Sequence, residues 1–154
     1  MKNILICSCF LLTFNSCTED HLASPGTDCF IFGNAYGFCA GDCAHLYQVR
    51  NNRLYADNIQ SLYYDPVVFL NTPLPDSSYQ MAKDLQEEMP LYLTAHPDTT
   101  IGCPDCHDQG LIYIEVRQNG VINKWQLDTD TNALPAEIRN YVQKISEILR
   151  RLHP

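Results

Sequence analysis

Leu111-Ile112-Tyr113-Ile114-Glu115-Val116-Arg117 and Val121-Ile122-Asn123-Lys124-Trp125-Gln126-Leu127 flank the pair Asn119-Gly120. Each run alternates apolar or aromatic with polar residues, the pattern of a strand with one face buried. Asn and Gly both accept positive φ, which the tight turn between twisted strands requires. The stretch predicts a β-hairpin. Working back along the chain, Ala44 to Arg50 alternates in the same way, Asn51-Asn52 supplies a second such turn, and Arg53-Leu54-Tyr55-Ala56 resumes the alternation. That is a second hairpin.

Asp28 to Phe38 is apolar and aromatic, with Gly33 and Gly37 interrupting, which predicts an irregular or bulged strand. Val67-Val68-Phe69-Leu70, between Pro66 and Pro73, predicts a further strand. Asp76 or Ser77 is placed to cap a helix running to about Met89, with Tyr79, Ala82, Leu85 and Met89 on one face and Pro90 ending it. Pro135 suits the first position of a last helix. There Ile138, Tyr141, Val142, Ile145, Ile148, Leu149 and Leu152 form one apolar stripe, and Arg150 and Arg151 favour the C-terminal end of the dipole. The order ββββαββα predicts an α+β fold of two layers: an antiparallel sheet with one or two helices on one face, including a C-terminal helix.

The composition bounds the partners. A chain of 154 residues, 45% hydrophobic and 18% charged, holds one ordinary domain and is too apolar to be disordered throughout. With 10 Lys+Arg against 18 Asp+Glu and no basic cluster, it lacks the positive surface that nucleic acid or electrostatic docking on anionic lipid demands.

Residues 1–17 carry a short positive start at Lys2, an apolar run from Ile4 to Leu12, and Phe14-Asn15-Ser16-Cys17. This is the layout of a secretory signal, and the run is far short of the roughly 20 residues that span a bilayer. The last four residues resemble the lipobox of bacterial lipoproteins, with Cys17 as the acylated first residue of the mature chain, bearing palmitate or similar acyl groups. The acidic Thr18-Glu19-Asp20 that follows resembles the surface-export signal of Bacteroidota lipoproteins. The expected organisation is a signal peptide over 1–16, a flexible tether over 17–27 and a single domain over 28–154. Removing residues 1–16 takes away one lysine, leaving 9 basic against 18 acidic residues.

Cys29, Cys39, Cys43, Cys103 and Cys106 remain in the predicted domain. An exported chain favours disulfides. On chain-entropy grounds, closing Cys39 to Cys43 contributes about 2 kcal/mol and a bridge between the two clusters about 4 kcal/mol, so pairing across the clusters is the more stabilising use of the same sulfurs. Four thiolates also suit zinc, provided that they stay reduced. Cys103-Pro104-Asp105-Cys106-His107 matches C-x-x-C-H, the attachment motif of c-type haem, with His107 as axial ligand and His45, His96, Met81 or Met89 as distal candidates. A thiol oxidoreductase needs a helix after the first cysteine, and a strand is predicted there instead.

No catalytic constellation is legible: Glu87-Glu88 point to different faces of a helix, and G-x-S-x-G, phosphate-loop and H-E-x-x-H patterns are missing from the sequence. Asp98-Thr99-Thr100 resembles the Bacteroidota O-glycosylation sequon, with Thr99 as acceptor. Taken together, the segment Phe32 to Cys43, the turn Ile101 to Cys106 and the Trp125, Asp128, Leu134-Pro135 lead into the last helix resemble a family of small Bacteroidota lipoproteins. That resemblance covers most of the mature chain and implies an outer-membrane lipoprotein of the cell envelope with one domain; it brings no established activity and leaves function open. The expectation is a disulfide-stabilised binding or structural module without a cofactor, held to the membrane by its lipid and facing an envelope protein or glycan. The alternative is a redox protein carrying haem c or zinc at Cys103, Cys106 and His107.

Overall fold

A computed structural model describes residues 28–153; the signal segment, Cys17, the tether and Pro154 lie outside them. Strands β1 (Cys29–Ala35), β2 (Ala44–Arg50) and β3 (Arg53–Ala56) are followed by helices α1 (Asp76–Ala82) and α2 (Leu91–Ala95). Then come β4 (Thr99–Ile101), β5 (Leu111–Gln118), β6 (Val121–Asp128), a 3₁₀ turn (Thr131–Ala133) and helix α3 (Ala136–Leu152). Both predicted hairpins form on left-handed residues: Asn51 and Asn52 at φ 49° and 56°, Asn119 and Gly120 at 53° and 78°.

The strands make one six-stranded sheet in the order β3-β2-β1-β5-β6-β4. Every neighbouring pair is antiparallel except β4, a short edge strand parallel to β6 that the hairpin patterns do not foretell. Central β1 pairs residue for residue with β2 on one side and β5 on the other, so the predicted bulge is not formed and the strand ends at Ala35. Gly33 is there for space: a Cβ on it would lie 2.7 Å from the Leu46 Cα of the paired strand.

Alternation along β1 sends Phe30 and Phe32 to one face and Ile31 and Ala35 to the other. All three helices cover the first face. Ile138, Tyr141, Val142, Ile145, Ile148 and Leu149 of α3 meet Phe30, Phe32, Ile112, Ile114, Trp125 and Leu127 there, as their helical spacing predicts. The other face buries Ile31, Leu46 and Tyr113 beneath Ile59, Leu62, Val67 and Phe69. The predicted strand Val67 to Leu70 is therefore a covering segment, tied to the sheet by a single bridge between Phe69 and Asp57. Val67 and Phe69 pack on the face of the sheet, whereas Val68 and Leu70 between and after them are exposed.

The helix expected to run to Met89 stops at Ala82, and turns carry the chain to Pro90. Beyond Lys83 the bonding tightens, with the Leu85 N–H on the Ala82 carbonyl. Tyr141 donates its hydroxyl to the Leu85 carbonyl at 2.7 Å, and the Met89 N–H turns to Gln86 instead. The apolar stripe still packs: Ala82 and Leu85 are buried, and Tyr79 and Met89 lie against them. Prolines 75, 90 and 135 each stand immediately before a helix, so neither Asp76 nor Ser77 is the cap, and α3 starts one residue after Pro135.

Trp125, 1% exposed, donates its indole N–H to the carbonyls of Leu93 at 3.1 Å and His96 at 2.8 Å, which fastens the end of α2 to the sheet. Trp125→Phe keeps most of the packing, leaves the His96 carbonyl without its indole partner and leaves the Leu93 carbonyl with the His96 N–H alone. It is expected to lower stability by about 1–3 kcal/mol in urea unfolding; a loss within about 0.5 kcal/mol would mean that the indole contributes packing alone.

Candidate binding site

The two cysteine clusters sit on adjoining turns at one end of the sheet. Gly41, at φ 102°, folds the turn between β1 and β2 so that Cys39 and Cys43 come within 5.7 Å Cα to Cα and form a disulfide. Asp105 and Asp108, both at φ 59°, shape the second turn, in which Cys103 and Cys106 are disulfide-bonded at 5.5 Å. Pairing is thus within each cluster and not across them, because each turn brings its own two sulfurs together. Each closed loop is short, so each adds about 2 kcal/mol on the chain-entropy argument in place of about 4 kcal/mol for a long bridge. Among the described residues, Cys29 is the free thiol, buried and accepting from the Gln48 amide at 3.2 Å, and burial pushes its pKa up.

Carboxylates do the work that a cross-cluster bridge would have done. Asp105 accepts the Gly37 N–H of the first turn at 2.6 Å and the Gly110 N–H of its own turn at 2.8 Å. Asp128, at the end of β6, accepts from the Cys103 N–H at 2.8 Å, the Asp130 N–H at 2.9 Å and the Gln109 amide at 3.4 Å. Burial raises the Asp128 pKa, but these hydrogen bonds outweigh it and hold the carboxyl below its ordinary range.

The residues singled out for haem do not gather. Cys103 and Cys106 have each other as partners, and exposed His107 points its backbone N–H at the Gln109 side chain. His96 stacks on Tyr92 at the end of α2, whereas Met81 and Met89 pack against the core. Among the described residues, no group of three or more His, Cys, Asp and Glu is placed to hold a metal ion. The Thr99 hydroxyl donates to the Pro97 carbonyl at 3.0 Å beside left-handed Asp98, whose carboxylate accepts the Lys124 N–H at 2.9 Å. Glu88 pairs with Lys144, and its neighbour Glu87 is exposed.

What the topology does assemble is a cleft of about 400 Å³ beside the disulfide turns. The end of β1 contributes Asn34 and Tyr36, β2 contributes His45, and Gln109, Leu111 and Ile112 come from the entry to β5. Helix α3 closes it with Ser146, Leu149, Arg150 and, just past its end, His153; Thr129 completes the lining. The rings of His45 and His153 stack with centroids 4.1 Å apart, which ties the end of α3 to β2. Only His45 of this set stood out in the sequence, and then as a haem ligand. The others come from separate segments with no shared spacing, so no linear pattern could have revealed them.

The hydroxyls and amides of the cleft are mostly engaged within the protein. Ser146 donates to the Val142 carbonyl at 2.9 Å, Thr129 to the Gln109 carbonyl at 3.4 Å, and Gln109 to the Cys103 carbonyl at 3.0 Å. Asn34 donates to the Tyr36 hydroxyl at 3.0 Å. Arg150, exposed on the last turn of α3, forms no ion pair or hydrogen bond among the described residues. No protein-family model matches this chain, and comparison with the curated proteins finds no match.

Asp128 generates the testable consequence. Its folded pKa is below the unfolded value near 4, so it adds stability above about pH 4 that is lost as the pH falls through the folded value. Asp128→Asn is expected to weaken the protein at neutral pH and to flatten the loss of stability on acidification. Urea midpoints between about pH 2 and pH 7 check this, and an unchanged acid slope would assign the effect to other carboxyls.

Proposed function

We propose that this chain is an envelope lipoprotein, acylated at Cys17 and anchored by that lipid, whose domain acts as a binding module and receives a small ligand in the cleft between β1, β2 and the end of α3. The observation that carries the binding reading is the cleft itself. It is concave, of a size suited to a small molecule, and it combines an apolar wall of Leu111, Ile112 and Leu149 with a few polar groups, the usual make-up of a ligand site. Its one serine donates its hydroxyl to the Val142 carbonyl of its own helix, which favours holding a ligand over attacking one.

The envelope location rests on the signal and lipobox residues, and two disulfides fit an oxidising compartment. They also rigidify the turns that border the cleft, so less conformational entropy is lost when a ligand orders it. An acyl anchor with a short tether would hold such a site close to the membrane while leaving it open to solvent.

Two experiments test the proposal. Expressed in an exporting bacterial host, the protein is expected to sediment with membranes and to carry a lipid mass, and Cys17→Ala to be soluble or unprocessed; unchanged membrane association of the variant would remove the lipid anchor. For binding, a thermal-shift screen of envelope sugars, peptides and organic acids is expected to find compounds that raise the Tm of the protein but not of Ser146→Phe, which fills the cleft. Compounds that stabilise both equally would show that the ligand binds elsewhere.

A further inference from the structure

Taking the cleft as the ligand site, we propose that the ligand is a small organic carboxylate, held by the Arg150 guanidinium and the imidazoles of His45 and His153. The inference rests on the binding reading above and adds the chemical class. It follows from an inventory of donors and acceptors. The Ser146, Thr129 and Gln109 donors are already committed to carbonyls of the protein, and the Asn34 amide to Tyr36. What faces the cleft without a partner is Arg150, a donor that has no acceptor capacity, together with the hydroxyl proton of Tyr36, the two stacked rings, each of which carries at least one N–H, and, as an acceptor, the side-chain carbonyl of Asn34. Donors are in surplus, and a ligand must bring the acceptors.

The charges agree with that. In a chain with 18 acidic residues, Asp42 is the one carboxylate among the described residues within ion-pair reach of these three cations or potential cations, 3.8 Å from His45, and it is largely exposed. The negative end of the α3 dipole lies at the same place and works against any anion. A guanidinium sets a full charge against the partial charge of the dipole, and its planar fork matches the two oxygens of a carboxylate. The apolar wall of Leu111, Ile112 and Leu149 leaves room for a carbon body behind the charged group.

Isothermal titration of the full mature protein in non-ionic detergent tests this, with hexanoate, glucuronate, hexanamide and inorganic phosphate as probes at constant ionic strength. The expected result is binding of hexanoate or glucuronate, weakened about tenfold or more in Arg150→Gln, with hexanamide and phosphate weaker than either. Which of the two carboxylates binds distinguishes an aliphatic from a sugar body. Arg150 is exposed and unpaired, so the variant is expected to fold, and an unchanged Tm confirms it. Hexanamide binding as well as hexanoate, with Arg150→Gln unaffected, would overturn the carboxylate and leave the cleft as a site for a neutral ligand. Phosphate binding alone would overturn it in favour of an inorganic anion. If none of the four probes binds, the inference fails, while compounds found by the thermal-shift screen decide the wider reading independently.

Discussion

Burial of β1 on both faces is the constraint from which the rest of the architecture follows. A strand with Phe30 and Phe32 on one side and Ile31 and Ala35 on the other must be covered twice. Three helices meet the first demand, and the segment that runs from Ile59 to Phe69 meets the second. Gly33 lets β2 come close enough for both ladders of β1 to remain unbroken. With both faces taken, the ends of the strands are where the sheet can still form a concave surface. The β1–β2 turn, the entry to β5 and the last turn of α3 all meet at one such end.

The acidic composition has a structural use that a net charge conceals. Aspartates accept backbone N–H groups across turns throughout the domain: Asp28 from Asn119, Asp57 from Leu46 and Ile59, Asp65 from Gln60 and Ser61, Asp98 from Lys124, Asp105 from Gly37 and Gly110. A carboxylate has acceptors only, so it satisfies N–H groups that no strand or helix serves, and it does so over long sequence separations. Asp105 and Asp128 hold the second disulfide turn from both sides. The two disulfides fix each turn internally, and the carboxylates fix the turns to one another and to the sheet.

This division of labour explains what a linear reading could and could not see. Hairpins on Asn51-Asn52 and Asn119-Gly120, and the amphipathic α3, depend on local periodicity and turn chemistry, and they are where the pattern places them. In the turns that follow Ala82, the Leu85 carbonyl is held by a hydroxyl 56 residues away, on Tyr141, a contact that no local pattern encodes. The apolar run at Val67 has strand-like composition in either setting, and only the need to cover β1 decides that it packs on the sheet. Likewise, the disulfide pairing follows from left-handed residues within each turn, which loop entropy does not weigh. The cleft was the least legible feature, since Arg150 reads as an ordinary partner for a helix C-terminus until the fold sets the end of α3, with His153, against His45.

On the face away from the helices, Glu115 is fully buried beside the hydroxyl of Tyr113, the guanidinium of Arg117 and, at 3.4 Å, the ammonium of Lys124. Burying the Glu115 carboxylate has a desolvation penalty that an apolar residue of the same size would avoid. Register gives the cluster a physical purpose. Glu115 and Lys124 face each other directly across the β5–β6 ladder, one position from the pair Ile114 and Trp125 on the opposite face. A slip by one residue would invert every side chain of β6, carrying Lys124 toward the helices and Trp125 away from the carbonyls of Leu93 and His96. In that slipped state Glu115 would keep Tyr113 and Arg117, which lie on its own strand, and lose the Lys124 ammonium, so the cluster adds to the preference for the native register. Because β6 leads through Asp128 into the second disulfide turn, that register also fixes where the turn stands against the cleft.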